Sequence, residues 1–287
     1  MRFQFIRDHK GQFSVRRMCR VLEVSASGYY AWLSRPMSKR DREDRRLVQV
    51  IKEVHKEKRG VYGSPRVHAE LKSKGMHHGK KRVARLMRQN GIRPKQEKRY
   101  KATTDSKHCY PVAPNLLQRD FEAGSPDQKW LADITCIPTY EGWLYLAAIL
   151  DLYSRPIVGW SMADRMGSKL VLDALEMAVS RRGPEPGLIH HSDRGGQYAS
   201  ADYQRALRSH GMMCSMSRKG DCWDNAPMES WFHTLKTELV GRRVYKTRMQ
   251  AKAEIFEYIE VFYNRNRLHS ALGYMTPAQY EMIKNVA

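Results

Sequence analysis

The sequence predicts a basic, all-α N-terminal region followed by an α/β domain with one mixed β-sheet and helices on both faces. Three observations support this prediction. Residues 1–124 hold 31 Lys and Arg against 12 Asp and Glu, whereas residues 125–287 hold 20 against 18. Up to residue 93, apolar residues recur only at helical spacing. Beyond residue 125, strand-like stretches come first and then alternate with helical ones, which is typical of a mixed sheet.

The N-terminal helices are predicted from apolar spacing and capping residues. Residues 14–33, "SVRRMCRVLEVSASGYYAWL", predict a helix, a short turn and a second helix that Ser25 can cap. Residues 40–57 follow as a charged helix with one apolar stripe. We assign residues 1–60 to a basic helical region that resembles a helix–turn–helix.

Residues 61–93 predict a second helix–turn–helix. Ser64 is the expected N-cap, Pro65 suits the first helical position, and Gly75 and Gly91 are expected to end the two helices. In such motifs the later helix enters a DNA groove, although helical hairpins also serve as plain packing units. The candidate DNA-contact residues on this helix are Lys80, Lys81, Arg82, Arg85 and Arg88.

The charge distribution indicates the class of partner. The net charge is +19 over residues 1–124 and +2 over residues 125–287. Such an excess favours a nucleic acid over a mere solubility surface, and no single long amphipathic face points to a membrane. Residues 94–124 predict a basic linker that can follow a phosphate backbone, with the domain boundary near Gly124 and the α/β domain at 125–287.

Composition excludes several other classes. No apolar run has the length of a membrane span, and the start "MRFQFIRDHKG" has no apolar signal core, so we expect a cytoplasmic location. The scattered cysteines form no CxxC pair, which is typical of reduced thiols and makes a structural zinc site unlikely on spacing grounds. They are Cys19, Cys109, Cys136, Cys214 and Cys222.

The α/β domain is predicted to have the order βββαβαβαα. The strands are expected at "WLADITCIP", at both ends of "GWLYLAAILDLYSRPIVGWSM", at "GLIHHSD" and at "MMCSMS". Helices are expected at "SKLVLDALEMAVSRRG", "SADYQRALRSHG", "DNAPMESWFHTLKTELV" and "AKAEIFEYIEVFYNRNRLH". In the third of these, the apolar residues follow helical spacing and are predicted to be core.

Three acidic residues align with this order. Asp133 lies in the first strand, Asp193 ends the fourth, and Glu229 lies in the first turn of the helix after the fifth, with Asp224 or Asn225 as its cap. Carboxylates that converge in one cleft need a cation, and hard oxygen ligands suit Mg²⁺ or Mn²⁺. We expect two ions that stabilise the attacking and leaving oxygens of a phosphoryl transfer.

Each of these acids has a structural alternative, because single acids commonly cap helices or end strands. Asp151, Asp221 and Asp224 are nearby competitors. Asp151 is the strongest of them, since it also ends a strand, but a turn follows at once and we assign it a structural or supporting role. The glycine pair Gly195 and Gly196 is expected to let the chain turn tightly beside a nucleic-acid backbone.

Long motifs also carry a family resemblance. "WLADITCIPTYEGWLYLAAILDLYSRPIVGWSM", "HHSDRGGQYAS", "DCWDNAPMESWFHTLKTEL" and "YNRNRLHSALGYMTPAQY" resemble the catalytic domain of IS3-family insertion-sequence transposases, which is similar to retroviral integrase cores. "YGSPRVHAELKSKGMHHGKKRVARLMRQNGI" resembles the family's helix–turn–helix. The resemblance implies a ribonuclease-H-like fold and an acidic triad of Asp133, Asp193 and Glu229. It also implies that Lys236, seven residues after Glu229, is the family's phosphate-holding basic residue.

Other polar residues close to the triad in sequence have two open interpretations. They can contact DNA or water, or they can make structural hydrogen bonds. Asn264, Arg265 and Arg267 are expected late in the last long helix, where DNA contact and a plain surface role are both open. The residues near the triad are His191, Arg194, Gln197, Asn225 and His233.

The predicted function is DNA transposition. Water first cuts one strand at an element end, and the exposed 3′-hydroxyl then attacks a second phosphodiester. The resemblance also implies an oligomer on DNA, a bacterial nucleoid-associated location, and fusion with an upstream-frame helix–turn–helix and coiled-coil protein. The alternatives are a nuclease that cuts without joining and a DNA-binding regulator without enzymatic activity.

Overall fold

The computed structural model describes residues 1–95, 111–241 and 243–284, apart from the side chains of Cys222 and Lys284. Cys109 and most of the predicted linker therefore lie outside the described residues. The chain divides into two compact units, Met1–Glu53 and Val54–Ala287. In the described part of the chain, no helix has the length and apolar content that crossing a lipid bilayer requires.

The first unit is helical, as predicted. It contains α1 (Arg2–His9), α2 (Val15–Val21), α3 (Ala26–Ser34) and the start of α4 (Lys39–Glu57). The Ser25 hydroxyl accepts a hydrogen bond from the Gly28 backbone N–H at 2.9 Å, which confirms the predicted cap of α3. The core of this unit consists of Ile6, Met18, Cys19 and Tyr29.

The second predicted helix–turn–helix is also present, as α5 (Ser64–Ser73) and α6 (Lys80–Gln89). The predicted cap at Ser64 is wrong. Ser64 already belongs to the helix, and Gly63 is the capping residue, with no side-chain hydrogen bond. Gly75 and Gly91 follow the two helices at φ values of 77° and 66°, a left-handed conformation that glycine adopts without steric cost.

The second unit contains a five-stranded mixed sheet. Its strands are β1 (Lys129–Thr139), β2 (Gly142–Asp151), β3 (Ile157–Ala163), β4 (Ile189–Ser192) and β5 (Met213–Met216). The spatial order is β3-β2-β1-β4-β5. The first three strands pair antiparallel, and β4 runs parallel to both β1 and β5. The predicted mixed sheet is confirmed.

Helices follow the strands in the predicted order. Two of them continue into π-helical turns, at Lys236–Val240 and Tyr258–Tyr263, and short 3₁₀ turns occur at Cys222–Asn225 and Ser270–Leu272. The helices are α7 (Ser168–Arg182), α8 (Gly196–Ala199), α9 (Ala201–Ser209), α10 (Ala226–Leu235), α11 (Arg248–Glu257) and α12 (Pro277–Lys284).

The sheet has a different set of helices on each face. Trp130, Ala147 and Ile149 pack with residues of α7, α8 and α9 into one core cluster. Helix α7 approaches the sheet closely at Gly159, where a Cβ would lie 2.2 Å from the Ala174 carbonyl oxygen. On β1 and β2 the alternate residues form the other face, since successive side chains of a strand point to opposite sides, and α10 and α11 contact these strands.

The end of the last long helix differs from the prediction. Helix α11 and its π-helical turn stop at Tyr263, so Asn264, Arg265 and Arg267 follow the helix and do not lie within it. Arg267 is buried in an ion pair with Glu238, which excludes the plain surface role, one of the two interpretations left open for it.

Candidate active site

Two acidic residues lie side by side at the end of β4. The parallel register pairs Lys129 with Ile189 and Leu131 with His191. If this register is continued two residues further, Asp133 of β1 comes level with Asp193, which directly follows the end of β4 at Ser192. Neighbouring strands are about 4.8 Å apart, so this register brings the two carboxylates to one place on the sheet.

Local hydrogen bonds orient both carboxylates. The Ile134 N–H donates to Oδ1 of Asp133 at 2.7 Å, and the Gly195 N–H donates to Oδ1 of Asp193 at 2.9 Å. Gly195 has φ −61° and ψ 142°, which any residue adopts, so its backbone conformation does not by itself require glycine. A Cβ on Gly195 would lie 3.0 Å from that same Oδ1. The glycine leaves room for the aspartate.

Glu229 enters from the first turn of α10, as predicted. Asn225 is the capping residue of this helix by position, but its side chain makes no capping hydrogen bond. Instead, its Nδ2 donates to the Ala132 carbonyl oxygen at 3.3 Å, next to Asp133. Asn225 thus ties the start of α10 to the strand that carries the first acid.

The electrostatics of Asp133 link the predicted residues. Burial raises the pKa of Asp133 well above its usual value, and the charges of Asp193 and Glu229 raise it further, whereas Lys236 lowers it. Burial also raises the pKa of Glu229, although this side chain is largely exposed. The charges of Asp193, Glu229 and Lys236 therefore all act on Asp133.

The aspartate pair suits a divalent cation, because carboxylate oxygens are the ligands that Mg²⁺ and Mn²⁺ prefer and a cation would offset their mutual repulsion. Across the described residues, however, no three acidic, histidine or cysteine side chains stand in a metal-binding arrangement. By position, Asp133 and Asp193 could supply two ligands. Glu229 has several rotatable bonds with which to reach them.

The competing acids have structural partners. The Asp151 carboxylate accepts hydrogen bonds from the backbone N–H groups of Asp127 and Tyr153 at 2.8 and 2.7 Å. It is fully buried, and burial raises its pKa to about 7. Asp151 therefore holds the turn after β2 together, in agreement with its assigned structural role.

Asp224 forms the centre of an ion cluster that the sequence did not reveal. Its carboxylate accepts from Nε of Arg119 at 2.8 Å, from Nη2 of Arg218 at 2.7 Å and from Nδ2 of Asn115 at 2.9 Å. The hydrogen bond from Arg218 lowers the pKa of Asp224 far below its usual range. Arg119 lies 105 residues away in the chain, so no local pattern could have indicated this contact.

Comparisons with known proteins agree with this architecture. Integrase core domain families match residues 123–222 and 229–284, and an HTH-like domain family matches residues 41–100. "Transposase InsF for insertion sequence IS3A" of Escherichia coli K12 is 44% identical over 289 residues, which cover 100% of both chains. The chain belongs to the IS3-family transposases. It is thus a transposase with an integrase core, in the polynucleotidyl transferase class.

Two further proteins resemble the transposase to different extents. The IS600 uncharacterized 31 kDa protein of Shigella sonnei is 47% identical over 263 residues, covering 92% of this chain and 97% of that protein. The HTLV-2 integrase catalytic core domain, solved in complex with magnesium, is 16% identical and covers 56% of this chain and 99% of its own, with a TM-score of 0.42. The similarity to the IS600 protein extends over nearly the whole transposase, whereas the similarity to the HTLV-2 integrase core is remote.

The polar neighbours of the triad make structural hydrogen bonds in the transposase. Nδ1 of His191 lies 2.8 Å from the Ser215 hydroxyl and Nε2 lies 3.1 Å from the Ser217 hydroxyl, and burial lowers the pKa of this histidine to about 4. Arg194 donates to the Ser217 carbonyl oxygen at 2.5 Å. Gln197 donates to the Met166 carbonyl at 3.2 Å. These contacts support the structural interpretation.

The predicted DNA-contact residues of the transposase share helix α6. Lys80, Lys81 and Arg88 are exposed, and Arg82 and Arg85 are half-buried. Val83, Leu86 and Met87 form the buried side of the same helix. Helix α6 therefore presents a cationic side and an apolar side, as expected for a helix that contacts a phosphate backbone.

Proposed function

We propose that this transposase cuts DNA at the ends of an insertion sequence and joins the exposed 3′-hydroxyl to a second phosphodiester at Asp133, Asp193 and Glu229. One observation supports this most strongly. Continued past the end of β4, the parallel register of β1 and β4 brings Asp133 level with Asp193, and the charges of Asp193 and Glu229 raise the pKa of Asp133. Family membership supplies the reaction class, and the acids supply its location.

The proposed site has the right chemistry for a divalent cation. Asp133, Asp193 and Glu229 would hold Mg²⁺ or Mn²⁺, in the proposed case two ions, through carboxylate oxygens. Bound there, the cations would stabilise negative charge on the attacking and leaving oxygens.

The reaction proceeds by two phosphoryl transfers. In the first, a water oxygen bonds to phosphorus while the bond to the 3′-oxygen breaks, leaving a 3′-hydroxyl and a 5′-phosphate. In the second, that 3′-hydroxyl bonds to phosphorus of another strand and displaces its 3′-oxygen. Lys236 holds a phosphate near the acids, and Asn225 positions the start of α10 against β1.

The remaining parts of the chain bring DNA to this site. We assign residues 1–60 and 61–93 to the two helical DNA-binding regions, residues 94–124 to the linker and residues 125–287 to the catalytic domain. Lys80, Lys81, Arg82, Arg85 and Arg88 contact DNA. An oligomer that holds two element ends, fused to or paired with the upstream-frame protein, works in the bacterial cytoplasm at the nucleoid.

The test replaces Asp193 with asparagine in the full chain. We expect Asp193→Asn to keep the affinity for a duplex carrying the element's terminal repeat within about threefold and to lower cleavage at least a thousandfold, because the metal ligand is lost. Asp202→Asn, an exposed acid on α9, is the matched control.

A second assay separates the alternatives. Strand transfer with a pre-cut end distinguishes a transposase from a nuclease, and a protein that binds but never nicks would be a regulator. Cleavage at the wild-type rate by Asp193→Asn would refute the proposed site.

A further inference from the structure

A cleft with a mixed polar and apolar lining lies beside α10 in the second unit, further along this helix than Glu229. Its volume is about 540 Å³. The start of α5, the segment after α6, the C-terminal half of α10 with its π-helical turn and the Ser270–Leu272 turn all contribute to it. Its lining includes Gly63, Arg66, Lys95, His233, Thr237 and Ser270.

Arg66 is the unusual member of this lining. Among the described residues its half-buried guanidinium makes no hydrogen bond and no ion pair, and the Tyr62 ring lies 5.9 Å away. Burial and the like charge of Arg267 lower the pKa of Arg66. A cation is thus held partly out of water and close to another cation, which costs free energy unless an anion joins it.

The nearest carboxylate is already occupied. Glu238 accepts three hydrogen bonds from Arg267, at 3.0, 2.9 and 2.7 Å, and one from the Tyr258 hydroxyl at 2.8 Å. On the other side, Nζ of Lys95 donates to the Glu238 backbone carbonyl at 3.2 Å. Two cations, Arg66 and Lys95, therefore line the cleft. The carboxylate in the lining, Glu238, already accepts hydrogen bonds from Arg267 and Tyr258.

The lining also contains side chains that can donate hydrogen bonds to an anion. Hydroxyls come from Thr237 and Ser270, and His233 contributes a ring nitrogen. A guanidinium with hydroxyl donors around it matches the tetrahedral oxygens of a phosphate group. The volume exceeds what one phosphate needs and leaves room for the attached sugar.

The cleft lies along the helix that carries Glu229. His233 and Thr237 come four and eight residues after Glu229 and so continue the same side of the helix. Four helical residues rise about 6 Å, so the cleft begins about 6 Å along α10 from this acid. Phosphates of one strand are spaced about 3.4 Å apart along the duplex axis, so this distance corresponds to about two nucleotides.

We propose that this cleft binds one backbone phosphate of the DNA strand that the acids cut, a few nucleotides from the reacting phosphate, with Arg66 as its main ligand. This rests on the proposed function for the identity of the strand. The helix–turn–helix region, which supplies Arg66, then helps to place the DNA end as well as to bind DNA.

The test compares Arg66→Gln with Arg208→Gln, an exposed arginine on α9 that carries the same charge change. Binding is measured with terminal-repeat duplexes in which single phosphates are replaced, one at a time, by uncharged methylphosphonates. At one position near the cut site, the replacement should weaken wild-type binding about tenfold and leave Arg66→Gln unaffected, because the contact is already lost. The salt slope should fall by about one in this variant.

Two controls keep the outcome unambiguous. Arg66→Gln should melt at or above the wild-type temperature, because it removes an unpaired cation, and Arg66→Lys should keep the salt slope. Equal responses of wild type and Arg66→Gln at every position, or an equal loss in Arg208→Gln, would overturn the proposal. Neither the binding measurements nor the melting measurement requires DNA cleavage. If the Asp193→Asn protein cut DNA, the proposed catalytic site would be refuted, but the result at Arg66 would still hold.

Discussion

Two acid clusters in the same domain behave in opposite ways. At the sheet, the charged groups that act on Asp133 are mainly other carboxylates, and its pKa is raised. In the loop before α10, Asp224 is bound by two arginines, and its pKa is lowered. Both clusters contain buried or half-buried aspartates, so burial alone does not explain the difference.

The contrast supports the proposed assignment of Asp133 to the catalytic site and of Asp224 to a structural cluster. Asp224 is neutralised by cations of the same chain, and its hydrogen bonds hold residues of the 111–119 segment against the loop. Asp133 faces the like charges of Asp193 and Glu229, opposed by Lys236, and its pKa is raised on balance, so its ionised form is disfavoured. Perturbed carboxylates of the second kind are typical of catalytic sites.

The largest effect on stability is expected at the structural cluster. Asp224→Asn should lower the free energy of unfolding by about 3 kcal/mol, because it leaves several donors facing an amide. The measurement is urea denaturation at pH 7. Asp221→Asn, next in the loop, is the matched control and should cost less than about 1 kcal/mol, since its pairs with the half-exposed Arg119 and Arg218 are partly solvated. If both variants lowered the free energy of unfolding equally, the structural role of Asp224 would be contradicted.

The opposite sign is expected at the sheet. Without divalent cations, Asp133→Asn should raise the free energy of unfolding by about 1 kcal/mol, because it removes like-charge repulsion from a buried site. Denaturation in EDTA tests this. In a separate assay with divalent cations present, the same variant should not cleave DNA. If Asp133→Asn were destabilised as much as Asp224→Asn, Asp133 would be a structural residue.

The sequence predicted the order of strands and helices along the chain and the elements that carry the three acids, because strand ends and helix starts have local signals. It did not predict the partners of Asp224, since Arg119 lies far away in the chain. Nor did it predict the burial of Arg267, whose partner Glu238 lies 29 residues upstream. Ion pairs between distant segments depend on packing, which no spacing rule contains.

The smallest effect concerns pH, and its shape differs between the two clusters. Asp133 has a folded pKa above its unfolded value of 3.8, so its charge costs nothing below about pH 4 and an increasing amount as pH rises toward the folded value. The advantage of Asp133→Asn over wild type should therefore grow as pH rises above about 4. Asp224 has a folded pKa below 3.8, so its contribution is complete above about pH 5 and is lost only as pH falls below 4. The deficit of Asp224→Asn should stay constant from pH 5 to pH 8.

Urea midpoints of the two variants and wild type across this range test both statements. Two outcomes would contradict this contrast. One is a stability loss in Asp224→Asn that changes with pH between 5 and 8. The other is a stability gain in Asp133→Asn that stays constant as pH rises.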